Sequence, residues 1–167
     1  MSYTVTHDAR RQYMPWSLIE AQFHKGAALL LPLRIFIGLG WLRAGVEKLT
    51  NPDWLSGVEL TTFLHAQIEA NMVYFPFYEW MIHQVFEPNV VGLSLLILVA
   101  QLLAGAGILT GTLTNAALLG ALFMNLNFVL VGIVNPSAFY IVIQAVLLTS
   151  NAGAVLGGDT WLSQWIR

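Results

Sequence analysis

The sequence predicts an all-α membrane protein: a four-transmembrane-helix bundle with an amphipathic helical connection on the outer side, between spans 1 and 2. Three observations carry this. Charge is scarce, with 10% of the 167 residues charged and 57% hydrophobic, whereas soluble domains run near 25% charged. Four apolar stretches are each about 20 residues long, enough at about 1.5 Å of rise per residue to cross a hydrocarbon core of roughly 30 Å. Two joints between them, Gly111-Thr112 and Asn135-Pro136, are very short and make antiparallel neighbours.

Residues 1–26 read as a polar tail followed by an interfacial helix. Trp16, Ile19 and Phe23 share a helical face within Tyr13 to Lys25. Residues 27–167 read as the membrane domain. Its first span, Ala27 to Leu49, carries Arg34, Arg43, Glu47 and Lys48. A charge near the bilayer centre costs about 2.5–3.5 kcal/mol on insertion scales, which a mere anchor has no reason to carry. On a helix, Arg34, Gly38, Trp41, Gly45 and Lys48 fall within about 40° of one line. Arg43 and Glu47 lie roughly opposite and, four apart, form a structural ion pair. A helix polar on two faces belongs inside a bundle or against a partner. Snorkelling accounts for Lys48, near the helix end, better than for Arg34 and Arg43, which have apolar residues on both sides. The run begins after Glu20 and Lys25 with no clean cleavage site, as expected of an uncleaved signal-anchor.

After the first span, Asn51 can cap a helix whose first residue is Pro52, with Asp53 in the first turn. Pro52 to Met72 reads as one amphipathic helix. Asn71 to Pro88 is crowded with aromatics and holds Glu79, His83 and Glu87. The 51–89 connection is therefore expected to pack on the membrane surface as a lid. The second span is Asn89 to Thr110, with Gln101 and Gly105 on one face. The third is Leu113 to Val134, where Ala116, Gly120, Phe123 and Asn127 share a face and Asn125 points away. The fourth is about Ser137 to Leu156, with Tyr140, Gln144, Leu147 and Asn151 on one face. Gly105, Gly107, Ala116, Gly120 and Ala121 allow close helix approach, and buried Asn or Gln serve as interhelical glue. Arg10, Arg11 and Lys25 precede the first span, Arg167 ends the chain, and the 50–89 connection has no Lys or Arg. Both termini are thus expected in the cytoplasm of a cell with this chain in its inner membrane, and the connection outside.

The composition excludes several chemistries. There is no cysteine, so disulfides, thiol chemistry and cysteine-held iron–sulfur or zinc sites are out. The net charge of −2 and the lack of a basic run argue against nucleic acid. None of His7, His24, His65 and His83 lies mid-span, which argues against bundle-held haem. His65 and His83 could meet in the lid beside Glu69, Glu79 or Glu87, but no metal-ligand spacing supports it, and interfacial histidines with satisfied hydrogen bonds are the expectation. No P-loop, dinucleotide fingerprint or nucleophile elbow is present. What remains is a polar set, Arg34, Trp41, Lys48, Gln101, Asn127 and Gln144, on faces that could converge inside the bundle. Fixed positive charge with neutral donors suits a small oxidised sulfur anion or the carbonyls of an exchangeable quinone, with Trp41 stacking on the ring.

Several stretches resemble the DoxX/DoxD membrane family. Leu33-Arg34 through Gly38, then Gly45-Val46-Glu47-Lys48-Leu49-Thr50-Asn51-Pro52, is similar to the family's opening pattern. Gln101 to Gly111 looks like its glycine-rich run, and Asn151 to Asp159 like its closing segment. The long outer connection is more like the DoxD branch. The resemblance implies a four-span bundle serving as membrane subunit of thiosulfate:quinone oxidoreductase, which joins two thiosulfates into tetrathionate and passes the electrons to quinone with a small partner subunit. Two positions depart from the pattern: Gln101 stands where many members have Glu, and Val155 or Leu156 stands where a closing Arg is usual. Both losses fit the second class kept open, a non-catalytic accessory subunit of a larger respiratory or photosynthetic complex. A small-solute transporter is a weaker third class, since no inverted repeat is visible.

Overall fold

The computed structural model describes residues 29–134, 136–150 and 157–159. The expected interfacial helix at Tyr13 to Lys25 and residues 151–156 of the fourth stretch lie outside them. Among the described residues every regular element is helical. They are α1 (Leu31–Leu49), α2 (Pro52–Leu55), α3 (Val58–Glu69), α4 (Pro76–Met81), α5 (Val90–Thr110), α6 (Thr114–Leu130) and α7 (Ser137–Thr149). A π turn (Ile82–Phe86) and a 3₁₀ turn (Glu87–Asn89) join α4 to α5.

One helical run, Pro76–Thr110, is long and apolar enough to cross a membrane. It corrects the expected break between lid and second span. Pro88 brings no backbone N–H, the chain passes it as a π turn followed by a 3₁₀ turn, and the Asn89 side chain donates to the Val85 carbonyl at 2.9 Å. The helix expected over Pro52 to Met72 is in turn two helices. Asn51 caps α2 by accepting from the Asp53 and Trp54 amides at 3.0 and 3.4 Å, and the chain then bends at Gly57, φ +81°.

α1 and α5 run antiparallel and very close. A Cβ on Gly38 would come within 2.9 Å of the Leu109 nitrogen, and one on Gly45 within 2.7 Å of the Leu102 side chain. One on Gly105 would collide with the Leu42 backbone nitrogen. Gly105 is thus a close-approach residue, as its spacing predicts. Ala116 and Gly120 are not: both are exposed, and nothing lies within 4 Å of a Cβ on Gly120.

Two apolar clusters follow. One lies among the four long helices and joins Ile37, Trp41, Ala104, Ile108, Leu118, Ala121, Met124, Ile143 and Leu147. The other ties the 51–89 connection to α5 and the end of α6 through Trp54, Leu60, Leu64, Tyr78, Ile82, Leu98 and Val131. Trp54 anchors it, its indole N–H donating to the Ser94 carbonyl at 2.9 Å. At the opposite end the α5–α6 turn places Gly111 and Leu113 at positive φ, +68° and +50°. Leu113 pays about 1–2 kcal/mol for that backbone. The Asp159 carboxylate holds it there by accepting from the Leu113 and Thr114 amides at 2.6 and 3.1 Å. Asp159 is thereby the N-terminal cap of α6.

The α1–α5 contact predicts an asymmetry between two glycines. Gly105→Val is expected to cost on the order of 1–3 kcal/mol in thermal unfolding of the detergent-solubilised protein. Gly120→Ala is expected to leave the midpoint unchanged or slightly raised.

Candidate functional site

The seating of α1 on α5 fixes which way each α1 side chain points. Arg34, Ile37, Gly38, Trp41 and Gly45 are buried, the face that the helical phase marks out. The other face shows Ile35, Phe36, Leu39 and Val46 together with Arg43 and Glu47. The Arg43 Nε donates to Glu47 Oε1 at 2.7 Å, with the side chains 81% and 60% exposed. α7 brings Tyr140 against this flank. Its ring meets Phe36 edge-on at 6.1 Å and tilts against Trp41 at 6.4 Å. It fits because position 40 is glycine: a Cβ there would come 2.5 Å from the Tyr140 hydroxyl.

Between α1 and Tyr140 lies an open groove of about 410 Å³, lined by Phe36, Leu39, Gly40, Arg43, Ala44, Glu47 and Tyr140. Its walls are apolar and aromatic. Its polar groups are a fixed cation, a carboxylate and a phenol, which together offer two kinds of donor and two kinds of acceptor. Arg43 presents a planar fork of donors and Tyr140 a single hydroxyl, a set that suits oxygens on a flat ring lying against one aromatic wall.

The six residues expected to converge do not. Arg34 is 2% exposed and packs at the Gly111 turn, within electrostatic reach of Asp159. Lys48, fourteen residues on and so roughly 21 Å away along the helix, lies 4.5 Å over the Trp54 ring. That cation–π contact satisfies it at the cap. Asn127 is taken by the cap as well, accepting from the Tyr78 hydroxyl at 2.7 Å.

Asn125, expected to point away, is the inward residue and donates to Gln144 at 3.0 Å. The inner face of α6 is Thr114, Leu118, Ala121, Met124 and Asn125, with Phe123 outside. The phase expected for α6 followed Ala116 and Gly120, and the Asn125–Gln144 bond overrides it, because a buried amide without a partner costs more than an exposed glycine. Trp41, Gln101 and Gln144 stay in the interior. The Trp41 Nε1, Gln101 Oε1 and Gln144 Nε2 atoms have no partner among the described residues.

Tyr140 and Phe36 are the groove residues that the helical phase did not assign to a site. The signal for them was Gly40 within an otherwise bulky helix face, which marks a place where an aromatic ring approaches the backbone. In the cap, Glu87 Oε1 holds both His65 Nε2 at 2.8 Å and His83 Nδ1 at 3.0 Å. No group of three potential ligands suited to a metal ion occurs among the described residues.

No family model, curated protein or solved structure matches the chain.

The Asn125–Gln144 bond is expected to behave as a coupled pair. Asn125→Leu alone leaves the Gln144 carbonyl unsatisfied and should cost about 1–3 kcal/mol. Adding Gln144→Leu should recover part of that loss. Thermal melts of the two single variants and the double variant measure the coupling.

Proposed function

We propose that the chain is a four-span inner-membrane protein and the membrane subunit of a quinone-linked oxidoreductase, similar in kind to the DoxD subunit of thiosulfate:quinone oxidoreductase. α1, α5, α6 and the fourth stretch are its spans, both termini are cytoplasmic, and the 50–89 connection lies outside. Support for the membrane reading comes from an outer surface rich in large apolar side chains, around a core that holds several polar ones. Arg34, Ser94, Gln101, Thr114, Asn125, Ser137 and Gln144 are inside, while Phe36, Leu39, Leu96, Leu103, Phe123, Phe139 and Val142 face outward. Water penalises that arrangement and hydrocarbon favours it.

The observation that carries the quinone reading is the groove between α1 and Tyr140. In the bilayer it opens sideways to lipid, where a hydrophobic quinone resides. Its volume of about 410 Å³ admits a quinone ring while an isoprenoid tail stays among the acyl chains. Phe36 and Tyr140, which meet edge to face, form one aromatic wall on which the ring rests, Arg43 and the Tyr140 hydroxyl donate to its carbonyl oxygens, and Glu47 stands beside Arg43. A bound quinone supplies a two-electron, two-proton acceptor. The small sulfur anion that provides the electrons meets the protein from outside, together with a partner subunit.

A second reading, the non-catalytic accessory subunit, is favoured by one feature: position 101 is an amide, so the interior carries no carboxylate there to exchange protons.

The test uses the full chain in lipid nanodiscs titrated with decylubiquinone, read by quenching of tryptophan fluorescence, since Trp41 touches Tyr140. Saturable quenching is expected. Arg43→Gln combined with Glu47→Gln, and separately Tyr140→Phe, should each raise the Kd about tenfold, equivalent to about 1.4 kcal/mol. Binding that is absent, or equal in all variants, rejects the groove and leaves the accessory reading.

A further inference from the structure

Arg34 is the one buried charged side chain among the described residues. It stands three residues into α1, roughly 4.5 Å from the helix start. An arginine so near a helix end normally snorkels to water or phosphate. This one turns inward to the α5–α6 turn, where a Cβ on Gly111 would come 3.2 Å from its Nη1. A buried cation needs a counter-charge. Asp159 is the acid whose charge reaches it.

Residues 157–159 lie across the same turn as a strap. The Gly158 N–H donates to the Thr110 carbonyl at 3.1 Å, and the Asp159 N–H to the Gly111 carbonyl at 2.8 Å. The Asp159 carboxylate accepts from the Leu113 and Thr114 amides. The seat is shaped for glycine. A Cβ on Gly111 would stand 2.6 Å from the Gly157 Cα, and one on Gly158 would stand 2.5 Å from the Thr112 hydroxyl. Arg34 and the strap therefore crowd the same empty Cβ position of Gly111. A helix cap by itself requires only the carboxylate and the two amides. Here α1, the α5–α6 turn and the strap, three distant parts of the chain, meet at one glycine.

We infer that the 157–159 strap is a latch keyed by Asp159, whose carboxylate both caps α6 and keeps Arg34 inside, so α1 and the strap retain each other at the end of the bundle opposite the 50–89 connection. Arg34 is a positioning residue in this device: it acts on the strap through Asp159. The retention is reciprocal, and removing either charge loosens both attachments. None of this depends on quinone binding in the groove, which lies on the other face of α1.

The chain has no cysteine, so an introduced pair is a clean reporter of the docked strap. A Cβ on Gly158 would lie 3.4 Å from that of Thr112, close to the separation a disulfide spans. The experiment places the full chain with Thr112→Cys and Gly158→Cys in lipid nanodiscs and follows cross-linking by copper-phenanthroline. Rapid, near-complete cross-linking is expected. Adding Asp159→Asn should slow it about tenfold, and adding Arg34→Met about threefold or more. Arg34→Lys, which keeps the charge, should slow it less than Arg34→Met. The two losses should not add: Arg34→Met with Asp159→Asn should be no slower than Asp159→Asn alone. Helical circular dichroism checks that each variant folds, and Arg34→Gln replaces Arg34→Met if the latter does not. Cross-linking indifferent to loss of the Arg34 charge, or slowed additively in the double variant, overturns the inference and leaves Asp159 as a helix cap only. Failure of the parent pair to cross-link overturns it as well, since the strap would then not rest on the turn.

Discussion

The passage of α1 over α5 at glycine distance governs the rest of the molecule. With Gly38, Gly45 and Gly105 at the crossing, each helix meets the backbone or leucine side chains of the other where a Cβ would stand. Dispersion contact is then dense along two of the long helices. That register decides the rotation of α1. Rotation in turn sends Arg34 and Trp41 inward, Arg43 and Glu47 outward, and Gly40 under Tyr140. The groove, the interior polar atoms and the outward ion pair are three results of one packing choice.

The interior illustrates how polar groups are distributed when solvent water is not an option. Arg34 and Lys48 share one helical face but do not share a site, because each is met locally at its own end. The Gly111 turn receives Arg34, and the Trp54 indole receives Lys48. In between, Asn125 and Gln144 pair across α6 and α7. The bundle therefore resembles a stack of separate polar layers joined by an apolar cluster, and not a single charged cavity.

How much of this was readable from residues alone depends on the range of the interaction. The inner face of α1, the cap at Asn51 and the Arg43–Glu47 pair are set within a helical turn or two, and spacing reveals them. The rotation of α6 is not legible in the sequence because small residues mark both close contacts and empty surface. Only the identity of the partner, Gln144 for Asn125 and Tyr78 for Asn127, separates the two cases. The continuity of α4 into α5 is hidden by Pro88, which usually reads as a break; the π and 3₁₀ turns that carry the chain past it emerge only once the helix is built. The groove needed the meeting of α1 with α7, an event about 100 residues apart in sequence. The polar set expected to form one site has no counterpart in space for the same reason.

The cap of α6 has a consequence for biosynthesis. Leu113 waits on a carboxylate 46 residues downstream, so the α5–α6 hairpin leaves the ribosome before the group that completes its turn has been made. Until the segment around Asp159 arrives, the turn carries a left-handed leucine and two unsatisfied amides. Arrival of that segment then closes the turn beside Arg34 in one stroke. The α5–α6 turn is thus completed by a group 46 residues downstream of the leucine it holds.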